Sequence, residues 1–184
     1  MASVWVVLAL SLAGVVVCGA GHKCKNPVTV AVDWDAYPDR TWYTPYTTYR
    51  FWKGKNCADA VLSKWNSAGK LTESQHWWEG SAKKEMDGHV ERGEEGAGRF
   101  KYSMVKLGVE VLHVPTFAVS SARNNTIYGM YYCRTVAGVT VTEGFDVRST
   151  TMAIADEDLQ QILSGANAAG VKTSHLFPAE YTDC

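Results

Sequence analysis

Four cysteines spread over nearly the whole chain, Cys24, Cys57, Cys133 and Cys184, constrain its fold most. A fifth, Cys18, lies in an apolar leader and is expected to leave with it. Met1 to Ala20 reads as a secretory signal peptide, with an apolar stretch from Val4 to Val17 and the small residues of Cys18-Gly19-Ala20 at its end. That stretch is too short for a membrane span. Cleavage after Ala20 would leave residues 21–184 as one domain. An even number of cysteines in an exported chain favours disulfides, and with no C-x-x-C pair zinc is not expected. Four cysteines allow three pairings.

The mature length suits one domain with its own hydrophobic core. A formal net charge of -1 argues against a nucleic-acid or anionic-membrane partner, which calls for a clustered basic surface. Lys83-Lys84 and Glu94-Glu95 read as solvated turns. Turn signals recur along the chain as they do between antiparallel strands.

Eight segments have strand character. Thr41 to Phe51 is rich in Thr and Tyr, and Pro45 predicts an edge, bend or bulge within it. The others run from Ala58 to Trp65, Lys70 to Glu79, Glu85 to Arg92, Arg99 to Leu107, Val109 to Val119, Thr126 to Val136 and Thr140 to Thr150. Short connections make them a meander, and closing the meander removes its exposed edges. Beyond them, Asp156-Glu157-Asp158 suits a helix N-terminus. Leu159, Ile162, Leu163 and Ala166 fall at helical spacing, and Gly170 can stop the helix. A second short apolar element, Val171 to Phe177, ends at Pro178. The expected fold is all-β: an eight-stranded antiparallel up-and-down barrel with a C-terminal helix. A sandwich with a C-terminal helix would use the same elements.

These residues resemble the lipocalin family in its insect form, that of insecticyanin-like and nitrophorin-like proteins. Trp34-Asp35-Ala36-Tyr37 through Trp42-Tyr43 resembles the family's first motif, with Arg40 in the usual Gly place. The segment Gly170 to Phe177, with Cys184 after it, is similar to the tail of blood-feeding-insect lipocalins. Gly69-Lys70-Leu71 leading to His76 is similar to their third strand. Ser120 to Tyr128 stands where the second motif falls, and Arg148 where the third places a basic residue. The resemblance implies that Cys24 pairs with Cys133 and Cys57 with Cys184. It also implies that Trp42 closes the barrel floor in a structural role.

An eight-stranded barrel holds one small ligand, in a pocket that is mostly apolar with a few placed polar groups. On the seventh strand Tyr128, Met130, Tyr132 and Arg134 share a face. If Cys133 points outward to the N-terminal segment, that face lines the interior. On the sixth strand, placing Glu110 and Thr116 outside turns His113 and Phe117 inward. On the third strand His76 and Trp77 cannot both face the cavity in a regular strand, and Trp77 is favoured because imidazole is costly to bury without a partner. No nucleophile, metalloprotease or phosphate-loop motif is present, and no catalytic role is assigned. Asn124-Asn125-Thr126 is a glycosylation acceptor at Asn124.

The expected protein is secreted and extracellular. It would sequester or carry one small, largely apolar or amphipathic molecule such as a lipid, biogenic amine or pigment. An amine needs an inward acid, which the sequence does not identify; a fatty acid needs an inward cation, for which Arg134 is the candidate. The resemblance adds an arthropod source, a salivary scavenging role, and haem or bilin as cofactors to test. The alternatives are a haem protein with His76 as axial ligand, and an inhibitor that engages a protein partner through surface loops.

Overall fold

The computed structural model describes residues 23–93 and 97–184. The leader with Cys18, and Glu94 and Glu95, lie outside the described residues. Eight antiparallel strands follow the chain: β1 (Trp42–Thr47), β2 (Asn56–Leu62), β3 (Lys70–Glu79), β4 (Ala82–Arg92), β5 (Arg99–Lys106), β6 (Val109–Ala122), β7 (Ile127–Val136) and β8 (Val139–Ser149). Each pairs with the next. β1 also pairs with β8, so the sheet closes on itself. A helix, α1 (Asp156–Ala168), follows. A two-residue strand, β9 (Phe177–Pro178), then pairs with β1.

The elements differ from the sequence reading at the first strand. β1 stops at Thr47, and a 3-10 helix turns Arg50–Trp52 toward β2. Pro45, which cannot donate to the ladder, accounts for the β1–β8 register shift between Tyr43 and Tyr46, and past Thr47 the Tyr49 amide turns back to donate to the Thr47 hydroxyl at 2.8 Å. The tail after α1, which reads as an apolar segment, yields the two residues of β9.

One end of the barrel is closed by the segment that precedes β1. The amide of Val30 donates to the carbonyl of Ala118 at 2.8 Å, and the amide of Ala118 donates to that of Gly98 at 2.7 Å. A Cβ on Gly98 would stand 2.2 Å from the Val30 carbonyl oxygen, so only glycine allows this approach. Trp34, Tyr37 and Trp42 fill the floor with Tyr128, Leu71 and Val90. The ring of Trp42 stacks on Tyr37 at 4.8 Å, and its indole N–H donates to the Tyr37 carbonyl at 2.9 Å. Arg40 ties the segment to the β6–β7 turn through the Asn125 carbonyl at 2.9 Å.

Helix α1 covers the outer face of β6 and β7. Ile162, Ala166 and Val171 pack there against Tyr131, Phe145 and Val147. A Cβ on Gly165 would meet the Ser120 side chain at 2.7 Å, so the glycine sets how closely helix and sheet approach. Two disulfides hold the periphery. Cys24–Cys133 pins the N-terminal segment to the outside of β7, and Cys57–Cys184 ties the tail to β2. A disulfide typically stabilises by roughly 2–4 kcal/mol.

Trp42→Ala should lose about 3–5 kcal/mol of stability, as large aromatic truncations in cores do. Chemical denaturation measures this. A loss under 1 kcal/mol, on the order of an exposed substitution, would contradict the packing of the floor.

Candidate functional site

Above the packed floor the barrel holds a cavity of about 130 Å³. Its walls are largely apolar and aromatic: Met86, Phe100, Met104, Leu112, Val114 and Met130, with Tyr49, Phe51 and Trp52 at the open end. Polar groups gather at its base. They come from the inward faces of β3 and β8, where Glu73 and Gln75 alternate with outward residues, as do Asp146 and Arg148.

The polar groups divide into two sets. In the first, the Arg148 guanidinium donates to Glu73 Oε1 at 3.3 Å, and Gln75 Nε2 donates to the same oxygen at 2.6 Å and to the Tyr102 hydroxyl at 3.2 Å. Burial opposes the charge on Arg148, but Glu73, Tyr37, Asp146 and Tyr102 outweigh it and hold the guanidinium ionised. Burial raises the phenol pKa values of Tyr37 and Tyr102 well above the ordinary range. In the second set, Asp146 Oδ1 accepts from Thr47 Oγ1 at 2.6 Å and from the Tyr132 hydroxyl at 3.3 Å. Burial raises the Asp146 pKa above the usual carboxylate value, and Arg148, Thr47 and Tyr132 only partly offset it. The cavity is thus lined by two acids and one guanidinium.

The open end has an aromatic rim. Trp52 and Trp77 meet edge to face at 5.7 Å, with Phe51 5.5 Å from Trp77. Lys55 Nζ lies 3.8 Å from the centre of the Phe51 ring, donates to Glu79, and keeps that carboxyl below its usual range.

The structure distributes the sequence-derived candidates widely. Met130 and Tyr132 line the cavity. Tyr128 shares their face but lies deeper, 5.7 Å from the Trp42 ring, as part of the floor. Trp77 is buried on the inward face of β3, behind the rim. Arg134, opposite Thr142, is half-buried and lies outside the cavity lining. His76 points outward, its Nδ1 2.8 Å from Asp59 Oδ1 on β2.

The sixth strand corrects the reading of its two candidates. His113 and Phe117 face outward, while Leu112, Val114 and Thr116 line the cavity. The expectation placed polar residues outside, but α1 makes this outer face partly apolar. Phe117 packs there, 6.0 Å from Tyr131, in the helix-covered cluster. The Thr116 hydroxyl is satisfied inside by the Val114 carbonyl at 3.2 Å. His113 bonds Ser103 Oγ at 2.8 Å on the exterior. Among the described residues no histidine lines the cavity, so His76 is not placed to act as a haem ligand there.

Sequence reasoning missed Glu73, Gln75, Tyr102 and Asp146, and it named Arg148 only as the basic residue of the third motif, not as part of the cavity. A signal for two of them was present: if Trp77 faces in, strand alternation puts Gln75 and Glu73 inside as well.

A closed eight-stranded barrel with one end plugged, one end open and a mixed polar base defines a single-ligand binding barrel. Solved structures place it more narrowly, in the lipocalin fold. Insecticyanin from the tobacco hornworm Manduca sexta superposes with a TM-score of 0.70 at 12% identity, over 89% of this chain and 88% of that one. The amine binding protein of Rhodnius prolixus, in its tryptamine complex, gives 0.62 at 17% identity over 88% and 92%. Lobster apocrustacyanin A1 gives 0.62 at 11% identity over 88% and 94%. No protein-family model matches the chain, and no curated protein matches it in sequence.

Arg148→Met should cost about 3–5 kcal/mol, because it leaves the Glu73 carboxylate buried without its partner. The double change Arg148→Met with Glu73→Met should recover most of that loss. Denaturation midpoints of both variants check the pair, and a double variant no more stable than Arg148→Met would contradict it.

Proposed function

We propose that this protein is a secreted binding protein whose barrel sequesters or carries one small molecule with a cationic amine head and an apolar or aromatic body. The observation that carries the reading is Asp146. It is an inward, buried carboxylate whose bonded partners are hydroxyls, in a cavity with two acids and one guanidinium. The guanidinium is already engaged by Glu73. A ligand ammonium at Asp146 would remove the cost of a buried unpaired charge, and the aromatic wall would hold the body of the ligand.

The cavity size supports a small ligand over a macrocycle. At about 130 Å³ it compares with engineered cavities that take a single benzene ring. A fatty-acid ligand finds less support, since Arg134 lies outside the lining and Arg148 is paired. The likeness to an amine binding protein agrees with this choice. Two disulfides fit an oxidising, extracellular setting. Asn124 is exposed in the β6–β7 turn at the closed end, where a glycan would leave the mouth clear.

Calorimetric titration with tryptamine tests the reading. Tryptamine should bind, and its neutral alcohol analogue should bind about tenfold or more weakly, as expected when a charge-assisted hydrogen bond is lost. Asp146→Asn should weaken tryptamine by a similar factor without lowering thermal stability, because it removes a buried charge. Equal binding of amine and alcohol would refute the amine reading.

Affinity should also fall with acidification. Asp146 titrates above the ordinary carboxylate range, so protonation removes the ligand's counter-charge at a higher pH than for an exposed Asp. For the empty barrel the sign is opposite. A raised folded-state value means that this group favours folding at low pH, and that its contribution is lost as pH rises through the ordinary carboxylate value toward the raised one. Tryptamine titrations and melting curves across acidic pH, with Asp146→Asn beside the parent, separate the two effects.

A further inference from the structure

The exterior of the open end is unlike the rest of the surface. Among the described residues, half of the large hydrophobic side chains left exposed belong to two hairpin tips, so exposed apolar surface is concentrated there. Leu107, Val109 and Val111 form the β5–β6 tip, and Val136, Val139 and Val141 the β7–β8 tip. Tyr49 and Phe51 of the β1–β2 connection, at the same end, are exposed too.

Leu107 is the sharpest case. It is 96% exposed and sits at φ 52, a left-handed conformation that a bulky side chain adopts at a cost. Asn or Asp followed by Gly is the favoured chemistry for such a two-residue turn. Neither core packing nor turn geometry accounts for leucine there.

Exposed cations gather at the same end. Lys106 adjoins the first tip, Lys83 and Lys84 follow the β3–β4 turn, and Arg50 and Lys53 lie in the β1–β2 connection; all five are exposed. The acids near these turns are Glu79, held by Lys55; Glu110, between Val109 and Val111 and bonded to His89; Glu180, beside Arg50 and Lys53; and Glu85. Five exposed cations thus surround the apolar tips, although the formal net charge is -1.

We infer that the open end docks on an anionic lipid surface, with the two valine-rich tips entering the interface and the surrounding lysines meeting lipid headgroups. The shape favours lipid over a protein partner. The ladder between β6 and β7 ends at Thr116–Tyr132, so the hairpins continue as two separate projections. A stable protein interface needs about 800 Å² of contiguous face per partner. Apolar tips ringed by long cationic side chains suit a bilayer interface, where lysine stems lie along apolar surface and their ammonium groups reach headgroups. The inference rests on the outer surface and holds whichever ligand the barrel takes.

Vesicle flotation of the disulfide-bonded protein tests it, with phosphatidylcholine alone and phosphatidylcholine mixed with phosphatidylserine. Binding should be stronger on the mixture and weaken with salt. Leu107→Asp with Val139→Asp should reduce binding to both vesicles by about tenfold or more, since apolar insertion is lost. Circular dichroism and tryptamine titration should stay as in the parent, because neither residue lines the cavity. Lys83→Gln and Lys84→Gln should each cost about fivefold on the mixture and little on phosphatidylcholine. Failure of the parent to float with either vesicle, or unchanged flotation of the Asp variant, overturns the inference. Self-association that the Asp variant abolishes, without vesicle binding by the parent, overturns it in favour of a protein contact.

Discussion

Closure through β1 is the constraint on which the other features depend. This six-residue strand, interrupted by Pro45, bonds β8 on one side and β2 on the other. Without it the meander would end in two open edges, and no enclosed interior would exist to receive inward side chains. The strand is too short to close the barrel unaided, and its neighbours reinforce it. The Thr48 amide donates to the Phe145 carbonyl at 2.9 Å, β9 pairs along it, and the Tyr181 hydroxyl accepts from the Thr44 amide at 2.8 Å. The tail therefore acts as a clasp over the weakest seam, and Cys57–Cys184 fastens that clasp to β2.

Closure in turn sets the polarity of the interior. A barrel end packed with Trp34, Tyr37 and Trp42 leaves no route for water from below, so charges at the cavity base must be met within the barrel. Glu73, Arg148 and Gln75 meet one another. Asp146 has hydroxyl partners and burial against it, which leaves a carboxylate that gains from a cation. Stability and binding thus compete at one residue, as is common where a site is built from groups that a core would exclude.

Much of the architecture was legible because it rests on local patterns. Alternation on β3 and β7, turn glycines, and acidic residues before Leu159 locate strands and helix directly. The choice of Trp77 over His76 as the inward residue follows from burial cost, and the structure has Trp77 buried, with His76 outside on Asp59. The sixth strand was not legible, because its parity depends on α1. A helix more than thirty residues downstream turns its outer face into a second core, so that Phe117 and Thr116 exchange the sides that polarity alone assigns them. The cavity base was hidden for a related reason. Glu73 and Asp146 look like surface residues, and Arg148 is marked only by a motif resemblance, until strand closure brings β3 opposite β8.

The perpendicular arrangement of Trp52 and Trp77 has a consequence of another kind. Two indoles 5.7 Å apart form a close chromophore pair, and Trp52 also forms part of the cavity wall. Any occupant that displaces Trp52 changes that pair. The barrel therefore carries an internal optical gauge, readable in the near-ultraviolet dichroism of the unlabelled protein.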